Sequence, residues 1–194
     1  MRLRSAILLA VSLAGGAPAW ADTRSWVVQT GKSAVSFEAQ YSPGDFTGES
    51  TEVTGEVSAD AVDLRKPITG TIRARAGALK TGDSGRDKDM YRLLGTDKHP
   101  DIVYAIEGVE ASFQQISDKT DTLLTIKGTL TVRGVTKTTT FLGRVRQRDA
   151  ALWVRGQAQV KMTTFGITPP RRFLFFKVGD DLWLRFDLLL LAAP

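Results

Sequence analysis

Cysteine is absent from this 194-residue chain, and histidine occurs once, at His99. The first absence removes disulfides, thiol catalysis and thiolate metal sites, so packing alone must hold the fold. The second leaves no cluster of imidazoles, and no metal site is expected. To act as a base, His99 would need a nucleophile and an orienting group. No serine sits in a Gly-x-Ser-x-Gly elbow, and His99 directly precedes Pro100, so it reads as a turn residue. No catalytic residue and no cofactor is expected. Long apolar runs are lacking too. The stretch 6–13 is too short to cross a bilayer, and the C-terminal LWLRFDLLLLAAP is interrupted by Arg185 and Asp187.

Basic residues outnumber acidic ones, 26 to 21, for a formal charge of +5. That balance suits nucleic acid in principle, but the N-terminus argues for export. Arg2 and Arg4 precede the short apolar run, and small residues lead to Ala19-Trp20-Ala21, the pattern a signal peptidase reads. Cleavage after Ala21 is expected, leaving residues 22–194 as one periplasmic domain with no nucleic-acid partner. Arg73 and Arg75, then Arg144, Arg146 and Arg148, recur at every second position. They read as the solvated face of strands, with a weak attraction to anionic membranes as the alternative.

Almost everything after residue 25 alternates with a period of two. The segments 33–41, 49–59, 68–76, 101–109, 122–133, 137–148, 151–162 and 181–190 each carry one apolar face. In 122–133, for example, Leu124, Ile126 and Leu130 oppose Lys127, Thr129 and Arg133. The expected fold is all-β, an antiparallel barrel of about eight strands. One short helix is expected between the third and fourth strands, in TGDSGRDKDMYRLLG. Asp83 or Ser84 can cap it, Gly95 can stop it, and Met90, Leu93 and Leu94 form its apolar stripe. Such a helix fits as a lid on one barrel end. Arg86-Asp87 at its start reads either as a clamp on a ligand head group or, preferably, as an ion pair and cap that lock the lid.

Many inward positions are small: Gly48, Gly55, Gly70, Ala74, Gly128, Gly143, Gly156 and Ala158. Taken singly, each glycine reads equally well as a bulge or bend. Taken together, they point to a barrel that is hollow and suited to an apolar guest.

Six motifs occur in order: Trp26 with SAVSFEAQY, DFTGESTEVTGEV, LKTGDSGRDKDMYRLL, HPDIVY, GTLTVRGVTKTTTF and FGITPP. Together they resemble the YceI-like family of periplasmic, lipocalin-like barrels that bind polyisoprenoid chains. His99 stands where that family has an aromatic. The likeness runs over about residues 25 to 190 and implies binding, storage or transport of a prenyl quinone or polyprenol-type lipid, without catalysis. Two other readings stand beside it: a structural or interaction protein with a filled barrel, and an enzyme modifying a prenyl lipid. The resemblance carries over Phe37, Ile72, Tyr104, Leu130 and Phe141 as cavity residues. Strand parity and neighbourhood add Phe46, Ala74, Met90, Leu94 and Ile106, then Ala158, Val160, Met162, Phe165, Phe176 and Phe186. The oligomeric state is left open, a homodimer included.

The segment PPRRFLFFK, residues 169–177, sets a large apolar cluster between basic flanks. Two successive prolines are expected to take the chain out of the sheet, leaving 171–177 as a loop or short arm and the last strand to start at Val178. Phe173 and Phe176 folding inward would plug the barrel. Alternatively, Leu174 and Phe175 dip into a membrane interface while Arg171, Arg172 and Lys177 hold anionic head groups.

Overall fold

The computed structural model describes residues 23–42, 44–172 and 176–193, with the side chains of 171, 172 and 176 outside the description. The expected signal peptide lies outside the described residues. Strands dominate: β1 (Arg24–Val28), β2 (Ala34–Tyr41), β3 (Phe46–Ser50), β4 (Val53–Ala59), β5 (Thr69–Arg75), β6 (Asp101–Ala111), β7 (Thr122–Val132), β8 (Val135–Arg148), β9 (Ala151–Lys161), β10 (Arg171–Arg172) and β11 (Phe176–Ala192). The helix α1 (Ser84–Leu94) lies between β5 and β6.

All strand pairings are antiparallel, and the sheet closes because the long β11 pairs with β9 on one side and with both β1 and β2 on the other. β1 and β2 are two halves of one broken stave, and β3 and β4 are the halves of the next. Counted as staves, the barrel has eight, in sequence order around the ring. The helix therefore follows the third stave, though it follows the fifth strand. The two breaks face each other: the amide of Gly31, at φ 79°, donates to the carbonyl of Thr51 at 3.2 Å. A closed ring leaves no long edge for another chain to pair with.

Tight turns set the register. The β7–β8 hairpin turns through Arg133 and Gly134, both at positive φ (52° and 75°), the backbone that matches strand twist in a two-residue loop. Arg133 was expected to end a strand; its side chain instead donates to the carbonyl of Gly166 at 3.2 Å and steadies the turn. His99 packs across Gly134, where an added Cβ would lie 2.8 Å from its ring.

The chain leaves the sheet after Lys161, six residues before the expected Ile167, and passes a turn at Met162–Phe165 with Gly166 at φ 68°. It is not a loop from 171 onward, however. Arg171 and Arg172 pair with Lys177 and Phe176, so β11 begins at Phe176, two residues before the expected start. The prolines precede that pairing, and both arginines keep the amides a ladder needs.

Charge faces outward and apolar side chains inward. Arg185 meets Glu38 at 2.7 Å, Arg155 meets Asp187 at 2.8 Å and Arg146 meets Asp121 at 2.6 Å, all across strands on the exterior. Exposed pairs of this kind contribute little to stability, about 0–1 kcal/mol each. They do show that the outer face is built for water, the reverse of a lipid-facing barrel. No described helix is long and apolar enough to cross a membrane.

Candidate ligand cavity

Inside the barrel lie two cavities, of about 200 Å³ and 340 Å³, that share Phe37, Leu79, Ile102, Leu130 and Leu184 as common wall. They are two chambers of one interior, stacked along the barrel axis. The lower is lined by Trp26, Leu64, Ile72, Ile116, Leu152, Leu188 and other apolar side chains, with Ser36 and Arg185 also on its wall. The upper lies beneath α1 and adds Asp83, Arg86 and Asp89 to an apolar wall of Phe46, Met90, Leu94 and Val160. Three of the four charged wall residues are thus at one end.

Aromatic rings form the barrel's waist. Tyr104 and Phe141 meet edge to face at 5.0 Å between centroids, and Phe186 lies 5.4 Å from Phe141. The Tyr104 hydroxyl is turned toward the carbonyl oxygens of Ile126 and Thr139, at 3.0 and 2.9 Å. Burial, with Glu107 nearby, raises its pKa, so the phenol stays neutral and its one polar atom is occupied by backbone.

The inward glycines do not create this space. An added Cβ at Gly48 would fall 2.3 Å from the ring of Phe37, and one at Gly156 would fall 2.5 Å from the ring of Phe186. At Gly55, Gly70, Gly128 and Gly143 it would meet backbone oxygens of the neighbouring strand within 2.6 Å. The glycines let aromatic rings lie flat across the sheet and let strands approach closely in a tightly curved ring. Phe37 lies over Gly48, Phe186 over Gly156 and the Tyr104 ring beside Gly128.

Helix α1 is fastened over the upper chamber. Asp83 caps it by accepting from the amide of Arg86 at 2.8 Å, and Gly95 ends it in the left-handed conformation at φ 62°. Arg86 and Asp87 do lock the lid, through Thr81. Asp87 accepts from the Thr81 amide (2.8 Å) and hydroxyl (2.6 Å), while Arg86 donates to that hydroxyl (2.9 Å) and to the Thr81 carbonyl (3.1 Å). The Arg86 guanidinium also stacks on Phe46, 4.4 Å from its centroid. Burial pulls the pKa of Asp87 up, but its hydrogen bonds to Thr81 and the charges of Lys80 and Arg86 outweigh that and hold it below the usual value.

The opposite end is closed by two loops, 60–68 and 112–121. Leu64 N donates to Gln114 O at 2.7 Å and Ile116 N to Ala61 O at 3.1 Å. Asp60, only 1% exposed, accepts from the amides of Val62 and Asp63 and from Lys66 Nζ at 2.7 Å. The Lys66 hydrogen bond chiefly holds the Asp60 carboxyl below its usual pKa, and Arg65 holds that of Asp63 down to about 2. A carboxylate with a depressed folded pKa stabilises the fold above its unfolded value, about 3.9, and loses that contribution as pH falls through the folded one. Amide-exchange protection in 61–66 is therefore expected to fall as pH drops below about 4 toward 2. Asp60→Asn should weaken that dependence. Protection unchanged down to pH 2 would show that these carboxylates do not hold the loop.

Fourteen of the sixteen residues expected to line the cavity stand on its walls. Ala158 does not: it is packed with Ile126 and Phe141, outside both chambers. The side chain of Phe176 lies outside the description, as do the side chains of Arg171 and Arg172 and the whole of Leu174 and Phe175; Lys177 is exposed. Sequence reasoning missed Trp26, Leu64, Leu79 and Ile116. Leu64 and Ile116 sit in loops with no periodic signal, whereas the alternation of Trp26 with Val28 was there to be read.

A closed antiparallel ring around a largely apolar, hollow interior, lidded by a capped helix, defines a β-barrel of the lipocalin-like class. The YceI-like domain matches residues 26–190, and the chain belongs to that family. Solved structures share the fold at low identity. BcnA of Burkholderia cenocepacia superposes with TM-score 0.70 at 16% identity, over 84% of this chain and 98% of that one. A polyisoprenoid binding domain from Saccharophagus degradans gives 0.68 at 13%, over 88% and 99%. A YCEI protein of Campylobacter jejuni gives 0.61 at 14%, over 76% and 84%. A comparison with curated proteins returns no significant match.

Proposed function

We propose that this protein binds a polyisoprenoid lipid, of the prenyl quinone or polyprenol type, and stores or carries it in the periplasm without altering it. One observation carries the reading: the lower chamber's wall is apolar but for Ser36 and Arg185, and Asp83, Arg86 and Asp89 gather under α1. A ligand matching that gradient is a long hydrocarbon with one polar end. The isoprenoid class is supported by the family and by the named ligand of the Saccharophagus degradans domain. Residues 1–21 would direct export. Arg171, Arg172 and Lys177, with Leu174 and Phe175, would touch an anionic membrane surface while lipid passes in or out. Each basic residue near such a surface contributes about 1 kcal/mol, enough for transient docking.

Protein purified from its native host should show, by intact mass, a chain beginning at Asp22 and, in organic extract, a prenyl lipid. The extracted protein should reload from anionic vesicles faster than from neutral ones, with the difference lost at high salt. An extract without isoprenoid, together with no reloading, would overturn the lipid reading. Equal rates from both vesicles would remove only the membrane contact.

A further inference from the structure

We propose that the lower end of the barrel is a length gauge: Leu64 and Ile116 form the stop against which the last isoprene unit of the tail rests. The inference builds on the lipid reading above and adds which tails are accepted. Three features lead to it. First, Asp83, Arg86 and Asp89 gather at the upper chamber, whereas the one charged residue of the lower wall, Arg185, is engaged by Glu38 at 2.7 Å, so a lipid lies with its head at the upper end and its tail pointing down. Second, the lower chamber offers the tail little polar contact to read, because the Tyr104 hydroxyl is already committed to backbone and the Arg185 guanidinium to Glu38. Length is what remains to be sensed. A tail too short forfeits contacts with the walls, and one too long forces its head out of the mouth.

Third, the floor is fixed more firmly than a surface loop requires. Leu64 is 5% exposed and lines the lower chamber, and its amide is tied to the second loop through Gln114. The second loop is tied in turn to β8, by Gln147 N to Ser117 O at 3.0 Å. The loop bearing Leu64 is folded around the buried Asp60, which Lys66 neutralises. Asp60 holds the segment by three hydrogen bonds at once, from the amides of Val62 and Asp63 and from Lys66 Nζ. That segment is the one presenting Leu64.

The test is competition. The full chain, stripped of lipid, is offered an equimolar ladder of polyprenyl alcohols of increasing isoprene number, and the bound species are read by native mass spectrometry. The parent should show a sharp upper limit. Leu64→Ala/Ile116→Ala removes about six carbons and should raise that limit by roughly one isoprene unit. Leu64→Trp should lower it. Val62→Ala, in the same loop but pointing to solvent at 61% exposure, should leave it unchanged. Circular dichroism checks folding, and Leu64→Trp carries the test if the double variant does not fold. If folded Leu64 variants load the same distribution as the parent, the gauge is wrong and lipid binding stands. If the parent loads no prenyl alcohol at all, the lipid reading fails and takes the gauge with it.

Discussion

Gly128→Ala is expected to be the most damaging single methyl group that can be added to this barrel. Its Cβ would lie 2.1 Å from the carbonyl oxygen of Ala105 and 3.0 Å from the Tyr104 ring. Neither neighbour can give way cheaply. Ala105 is held in the β6–β7 ladder opposite Thr129, and Tyr104 is held by its hydroxyl. A cost of about 3 kcal/mol, the upper end of ordinary overpacking, is expected. For a chain of this size that is a fall in melting temperature of roughly 6–12 °C. Gly77→Ala is the control, because nothing lies within 4 Å of its added Cβ. Thermal melts of the two variants side by side decide the matter; a Gly128→Ala protein melting with the parent would mean that the strands do not approach so closely.

Ala74→Phe should abolish ligand loading with little loss of stability. Ala74 is 6% exposed and lines the lower chamber, so a phenyl ring has room to enter. It would occupy space a tail needs while adding apolar contact. Uptake of a prenyl alcohol should fall at least tenfold, with a melting temperature within a few degrees of the parent. Ala158→Leu should behave differently. Ala158 is enclosed by Ile126 and Phe141 outside either chamber, so leucine overpacks a solid region and costs about 1–3 kcal/mol. Gly156→Leu belongs with it, since its Cβ meets Phe186 at 2.5 Å and the carbonyl of Leu142 at 3.1 Å. If Ala74→Phe loads lipid normally, the lower chamber does not receive the tail. If Ala158→Leu melts with the parent, that region is looser than the packing indicates.

The contrast between Ala74 and Gly156 shows where the sequence was legible. Period-two alternation marks each face of a strand, because side chains on a strand must point to opposite sides. From it came the eight staves, the inward faces and cavity residues such as Val160 and Phe186, while Phe37, Tyr104 and Phe141 were carried over from the family resemblance. The helix was equally legible, since Asp83 and Gly95 mark its ends by local hydrogen bonding and by a left-handed backbone that suits glycine. These are short-range properties, and a one-dimensional pattern can carry them.

Whether a small inward residue opens space or is covered is a cross-strand question. Gly48 and Gly156 are covered by Phe37 and Phe186, their partners on the neighbouring strands, while Ala74 faces an open chamber. The same holds for the floor: Leu64 and Ile116 come from separate loops, and only the hydrogen bonds between those loops make them one surface. The breaks in the first two staves escaped notice: no strand was expected at Arg24–Val28, and 49–59 was read as one strand; only β11, long enough to pair with both β1 and β2, shows that the first stave continues. By itself the sequence determined a barrel with an apolar inside, a charged outside and a capped helix. Tertiary structure decided that the interior is two chambers with one polar end and one closed end, because that depends on which side chains meet across neighbouring strands and loops.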